Sequence, residues 1–155
     1  MTKKETLAYL AGIIDGEGSV FLGQRLKLRN REKSPSYTPS ITVGNTNERL
    51  IDWLVETCVG SKSHSKRPLK NWKDQYQWSV TSHKAVELAR MLMPYLIIKP
   101  QQAYLLSCFE HEAQWSKGGR PEDTLMPSTE INRRKQLYDE LKILNRRGKN
   151  GKSHL

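Results

Sequence analysis

LAYLAGIIDGEGSV, residues Leu7 to Val20, is the stretch around which the rest of the chain is organised. Leu7, Leu10, Ala11 and Ile14 fall at i, i+3, i+4 and i+7 on one face of a helix, and Ala8, Gly12 and Gly16 recur every four residues along another. Both faces are built to pack. Glycine inside a helix costs about 1 kcal/mol relative to alanine, so Gly12 among good helix formers predicts close approach by another backbone. Asp15 and Glu17 then stand at the helix C-terminus, where the macrodipole disfavours negative charge. Acids set against the local field call for a cation. Taken alone, Gly16 and Gly18 would also serve as ordinary cap and turn glycines, and the two acids as solvated loop residues.

The chain has 155 residues, enough for one domain with a core of its own, and no room for a second copy of that stretch. Its 26 Lys and Arg against 16 Asp and Glu leave a formal charge of +10, which favours a polyanionic partner, nucleic acid first. No uninterrupted apolar run reaches spanning length and no signal-peptide pattern follows Met1, so the expectation is a soluble intracellular protein that is neither secreted nor embedded in a membrane. Cys58 and Cys108 lie in apolar helical patterns without metal-ligand spacing and read as buried free thiols.

Beyond the opening helix, residues 19–31 alternate as a strand, with Leu22, Leu26 and Leu28 on one side and Arg25, Lys27, Arg29 and Arg31 on the other. Glu32 to Pro39 reads as a turn, and alternation resumes with Thr38, Ser40 and Thr42 against Ile41 and Val43. Asn45 or Thr46 is the expected cap of a helix from about Asn47 to Thr57, with Glu48 completing a capping box. A second hairpin alternates Lys62, His64 and Lys66 with serines, then Gln75, Gln77 and Ser79 with Tyr76, Trp78 and Val80. His64 stands alone among Ser and Lys and reads as a surface contact rather than a metal ligand. Ser82 is the expected cap of a helix ended by Pro94, Pro100 opens the next helix, to about Trp115, and Ser128 begins a last one with Leu137, Leu141 and Leu144 as its stripe. Between them lies a Gly- and Pro-rich loop, Ser116 to Pro127, and a basic, mobile tail follows over 146–155.

This order predicts an α+β domain over residues 1–145. It is an αββαββα core with a four-stranded antiparallel saddle sheet, helices on one face and an extra C-terminal helix. The uncovered face is expected to bind nucleic acid. Its candidate contacts are Arg25, Lys27, Arg29, Arg31, Ser36, Thr38, Ser40 and Thr42 on the first hairpin, and Lys62, His64, Lys66, Gln75, Gln77 and Ser79 on the second. Trp72 and Tyr76 could stack on bases or pack at the rim.

Leu10 to Gly18, LAGIIDGEG, resembles the nine-residue signature of the LAGLIDADG homing endonucleases, with Ile13 and Glu17 as conservative changes and Gly16 in place of alanine. The order of elements over the first 110 or so residues is similar to that family's core. The resemblance implies that Glu17 is the metal ligand with the Gly16 carbonyl as a second, and that Ala8, Ala11, Gly12 and Asp15 belong to a helix–helix dimer interface. It implies a homodimer, because one motif is present. Pro94, Tyr95 and Leu96 leading to Lys99 are similar to the family segment that supplies an active-site lysine, and Lys99 reads equally as a solvated lysine before a helix. Asn45 and Arg49 are nearest to two further polar positions of the family's site.

The implied activity is Mg-dependent cleavage of double-stranded DNA at a long, nearly palindromic site, with Mn or Ca able to occupy the metal positions. Hydrolysis of a phosphodiester needs an activated water and neutralised charge on phosphorus and leaving oxygen, which divalent ions on hard oxygen ligands supply. Glu17 keeps the charge of the commoner aspartate and lengthens its reach. The rival from another class is a non-cleaving binder on the same scaffold, either an RNA-splicing maturase or a transcriptional regulator.

Overall fold

The computed structural model describes residues 1–29, 32–66, 73–109 and 126–146. Arg31, Trp72, most of the loop after Trp115 and the tail from Arg147 lie outside the described residues, as do the side chains of Lys27 and Arg29. Helix α1 spans Lys3–Glu17 and starts earlier than its apolar stripe, because Thr2 and Glu5 form a reciprocal capping box. Its Leu10, Ala11 and Ile14 are fully buried, while Ala8, Gly12 and Gly16 lie open on the other side. Strands β1 (Gly18–Arg29) and β2 (Glu32–Asn45) follow, then α2 (Glu48–Thr57), β3 (Ser61–Ser65), β4 (Gln75–Thr81), α3 (Ser82–Leu92), a 3-10 turn over Met93–Tyr95, α4 (Pro100–Ser107) and α5 (Ser128–Leu144). The strands form one antiparallel sheet in the order β1-β2-β4-β3. Val20, Leu22, Ile41, Val43, Trp78 and Val80 on one sheet face join Leu10 and Ile14 of α1, Leu54 of α2, Leu92 of α3, Leu106 of α4 and Leu141 of α5 in one core. The α+β architecture with helices on a single face is the one expected.

Several local expectations change. The segment from Glu32 to Pro39 is strand rather than turn. β4 pairs with β2 only from Ser40 on, so the missing N–H groups of Pro35 and Pro39 leave no β2–β4 ladder bond unmade. The cap of α2 is Asn47, whose Oδ1 accepts from the Arg49 N–H at 3.1 Å; Asn45 and Thr46 are free of that duty. Ser82 gives no side-chain cap to α3. It takes φ 61°, a left-handed conformation costing a non-glycine residue roughly 1 kcal/mol, because β4 passes into α3 without a loop. Cys58 and Cys108 are free and half-buried, and burial raises the Cys58 thiol above its ordinary range. No helix among the described residues is long and apolar enough to cross a membrane.

Candidate nuclease centre and nucleic-acid face

The end of α1 gives its two acids different work. Asp15 accepts the backbone N–H groups of Ile97 and Lys99 on its two carboxylate oxygens, at 2.7 and 3.0 Å. In return the Lys99 ammonium donates to the carbonyl oxygens of Ile14 and Asp15, at 2.7 and 2.6 Å. These carbonyls belong to the last turn of α1, the negative end of its dipole, so Lys99 supplies the cation that the acids there demanded. Gly18 ends the helix at ordinary φ, and a Cβ there would collide with the Ile14 backbone, which is why no side chain is tolerated.

Glu17 remains exposed. Its Oε2 accepts from the Asn45 side-chain amide at the end of β2. The same Asn45 accepts the Asn47 N–H on its own Oδ1 at 2.7 Å, and Asn47 caps the first turn of α2, where Arg49 stands exposed. A line of hydrogen bonds therefore runs from Glu17 through Asn45 to the helix carrying Arg49. Beside it opens a groove lined by Tyr9, Asn45, Asn47, Arg49 and Trp53, with the Tyr9 and Trp53 rings edge to face at 5.1 Å. Of the residues named from the sequence, Glu17, Lys99 and Asn45 meet at the C-terminal end of α1, whereas Arg49 lines the adjoining groove with Tyr9 and Trp53. The clasp between Asp15 and the Ile97–Lys99 segment had no local signal, since its partners are more than eighty residues apart.

For a divalent metal, this chain offers the Glu17 carboxylate and the Gly16 carbonyl in the last turn of α1. Among the described residues no group of three or more His, Cys, Asp or Glu stands together. The donors present are hard oxygens, as Mg and Ca prefer, and one chain supplies part of a shell. The residues fit such an ion when DNA phosphate, water or a second chain completes it.

The interface candidates divide. Ala8 and Gly12 are exposed, and a Cβ added at Gly12 or Gly16 would meet nothing within 4 Å. The close approach predicted at Gly12 is thus not made within this chain. Ala11 points into the chain's own core at 0% exposure, and Asp15 is committed to the Ile97–Lys99 backbone, so these two do not share the open track.

The sheet face away from the helices is read from register. On β1 and β2, Ser19 pairs with Thr42, Phe21 with Ser40, Gly23 with Thr38 and Arg25 with Ser36, all alternating with core positions. On β4, Gln75, Gln77 and Ser79 take the same side, and the Ser61 and Ser79 hydroxyls meet across β3–β4 at 3.3 Å. The second hairpin differs from expectation in one respect. Lys62 pairs with Trp78 and His64 with Tyr76, so these basic residues share the face of the core tryptophan. Lys62 is held by Asp52 and Glu48 of α2 at 2.5 and 2.6 Å, which raise its pKa above the ordinary lysine range. His64 stacks on Tyr76 at 4.7 Å and meets Asp74 at 2.9 Å, which removes Tyr76 from base stacking. Lys62 and His64 are therefore corrected from open-face contacts to contacts with the helix layer; Lys66 lies exposed just past β3. Ser40 is also withdrawn: it is 7% exposed and its hydroxyl donates to the Thr38 carbonyl at 3.3 Å. Among the described side chains of the open strand face, Arg25 is the cation, set among hydroxyls and amides.

No family model and no curated protein matches the chain. Solved structures do. The homing endonuclease I-CvuI, in complex with the I-CreI target in the presence of Mg and with its DNA not cleaved, superposes with a TM-score of 0.66 at 21% identity, over 95% of this chain and 85% of that one. I-CvuI with its own target in Ca gives 0.65 at 20% identity over the same shares. An archaeal intron-encoded homing endonuclease, I-Vdi141I, complexed with DNA, gives 0.67 at 15% identity over 98% and 91%. The chain has the α+β fold of these homing endonucleases, in agreement with the resemblance carried by Leu10–Gly18.

Proposed function

We propose that this chain, built on the homing-endonuclease fold, is a site-specific double-strand DNA endonuclease that works as a homodimer with a divalent metal, Mg in the first place. The observation that carries the reading is Glu17: an exposed carboxylate held by Asn45, at the end of a helix with an open glycine track, beside an open polar sheet face. Glu17 and the Gly16 carbonyl would hold the ion, which supplies an activated water and charge neutralisation at the scissile phosphate.

The protein's own residues prepare that site. Asn45 occupies one carboxylate oxygen of Glu17, which fixes the rotamer and leaves the other for a ligand. Lys99 and Asp15 lock the α1 terminus to the start of α4, so Glu17 is presented from a braced helix end. Arg49 stands exposed on the next helix, within the same polar line, and can meet a phosphate oxygen. Ala8, Gly12 and Gly16 allow a second α1 to lie close, which places one Glu17 from each chain at the same duplex.

A non-cleaving binder on this scaffold is the second reading, favoured by one observation: the Lys99 ammonium donates to the Ile14 and Asp15 carbonyls, with those bonds set against its use at a phosphate. Digestion of a randomised duplex library with the purified chain and Mg separates the two. Enrichment of cut, nearly palindromic sites is expected. Sites that are bound and recovered intact at every Mg concentration would leave the binder.

A further inference from the structure

One side chain on the open sheet face does not match its surroundings. Phe21 lies on β1 at the register position shared with Ser40, between Ser19 and Gly23, on the side away from the helices. It is half-buried and takes no part in the hydrophobic core. Two of its neighbours offer no hydroxyl to the open side. Ser40 has its hydroxyl turned onto the Thr38 carbonyl, and Gly23 has no side chain, a Cβ there meeting only the Thr38 carbonyl oxygen at 3.7 Å. The result is an apolar spot in a face otherwise made of hydroxyls, amides and Arg25.

We infer that Phe21 is a specificity-determining residue that reads the C5-methyl group of a thymine in the major groove; the inference rests on the DNA-binding reading above. A β-ribbon fits the major groove, and the thymine methyl is the one apolar feature its base edges present, the one that an aromatic side chain recognises. A water-facing sheet gains nothing from a phenylalanine there, whereas a groove-facing one gains by burying it. Phe21 is four residues beyond Glu17, which at roughly 3.3 Å per strand residue sets the thymine within about four base pairs of the cut. Arg25, another four residues out, is suited to the O6 and N7 acceptors of a guanine further along the same half-site.

The test uses the full chain and duplex DNA. Sites bound by the unaltered protein are selected from a randomised library, and each thymine of the consensus is then replaced by deoxyuridine, which removes only the methyl. One thymine in each half-site should respond, with affinity falling about fourfold per half, the worth of one buried methyl group. In Phe21→Ser the preference for thymine over deoxyuridine should vanish at that position while preferences elsewhere persist, and Phe21→Leu should keep part of it. Indifference of the unaltered protein to every thymine methyl overturns the inference and leaves the DNA-binding reading standing, with no need for any variant to fold. Full methyl discrimination by Phe21→Ser also overturns it. A chain that selects no DNA site removes the functional reading itself, and the inference with it.

Discussion

The two hairpins both alternate small polar and basic residues, yet they place their cations on opposite sides of one sheet. In β1, Arg25 sits across from Ser36 on the open face, while Leu22, three residues earlier, is 3% exposed in the core. In β3, Lys62 sits across from Trp78, which is fully buried, and so it turns toward α2 and its two acids. A cation's face is thus decided by the apolar residues of its ladder. β1 carries Leu22 as its own marker, while Leu26 on the same side is exposed. β3, SKSHS, carries none, and its face is set by β4.

Trp78 carries the largest expected effect. Trp78→Ala should cost about 3–5 kcal/mol in urea unfolding, because a fully buried indole leaves a cavity, whereas Ser79→Ala next to it should stay within about 0.5 kcal/mol. Similar losses for the two would mean that the β4 faces are reversed.

Arg25 and Lys62 should differ in binding. Arg25→Ala should weaken affinity for duplex DNA and lower the slope of log K against log salt by about one unit. Lys62→Ala should leave that slope unchanged and cost little stability, as befits exposed pairs. Equal slopes lost in both variants would return Lys62 to the DNA face.

The braces of the two hairpins should also fail at opposite ends of the pH scale. The first is held by α5, where Asn145 donates to the Val20 carbonyl at 2.8 Å and Tyr138 packs on Tyr37. That helix is tied down at its start through Glu130, whose pKa is lowered by its bond to Arg133 and also by Arg134, the latter lying against Phe109. A lowered carboxylate contributes stability above the ordinary carboxylate range and loses it as pH falls through the folded-state value. On the second hairpin the exposed Lys62 pairs add a small contribution, present below the ordinary lysine range and lost as pH rises through the raised folded-state value. Methyl resonances of Leu22 and Val80 followed through acid and alkaline titration should show Leu22 responding first in acid and Val80 first in alkali.

Local periodicity made much of this molecule legible. The two faces of α1, the parity of β1 and β2 and the single helical layer all follow from apolar spacing within short windows. What was not legible depends on partners distant in the chain. Asp15 reads as one more acid of the motif until Ile97 and Lys99 are placed against it. Asn45 reads equally as a helix cap and as a site residue until β2 arrives beside α1 and turns its amide toward Glu17, leaving Asn47 to cap. Pro35 and Pro39 read as turn residues because sequence does not reveal that β4 stops short of them.

The two acids of α1, two residues apart, give the sharpest contrast in role: Asp15 holds the fold and Glu17 faces outward. Glu17→Gln keeps the side chain's size and its bond with Asn45 while removing the charge, and so it is the direct probe of the central claim. Strand scission of a selected duplex with Mg and affinity for that duplex should be measured on the same preparation. Affinity should stay within a few-fold of the unaltered protein while scission falls by at least about a hundredfold; undiminished scission would remove Glu17 from the chemistry.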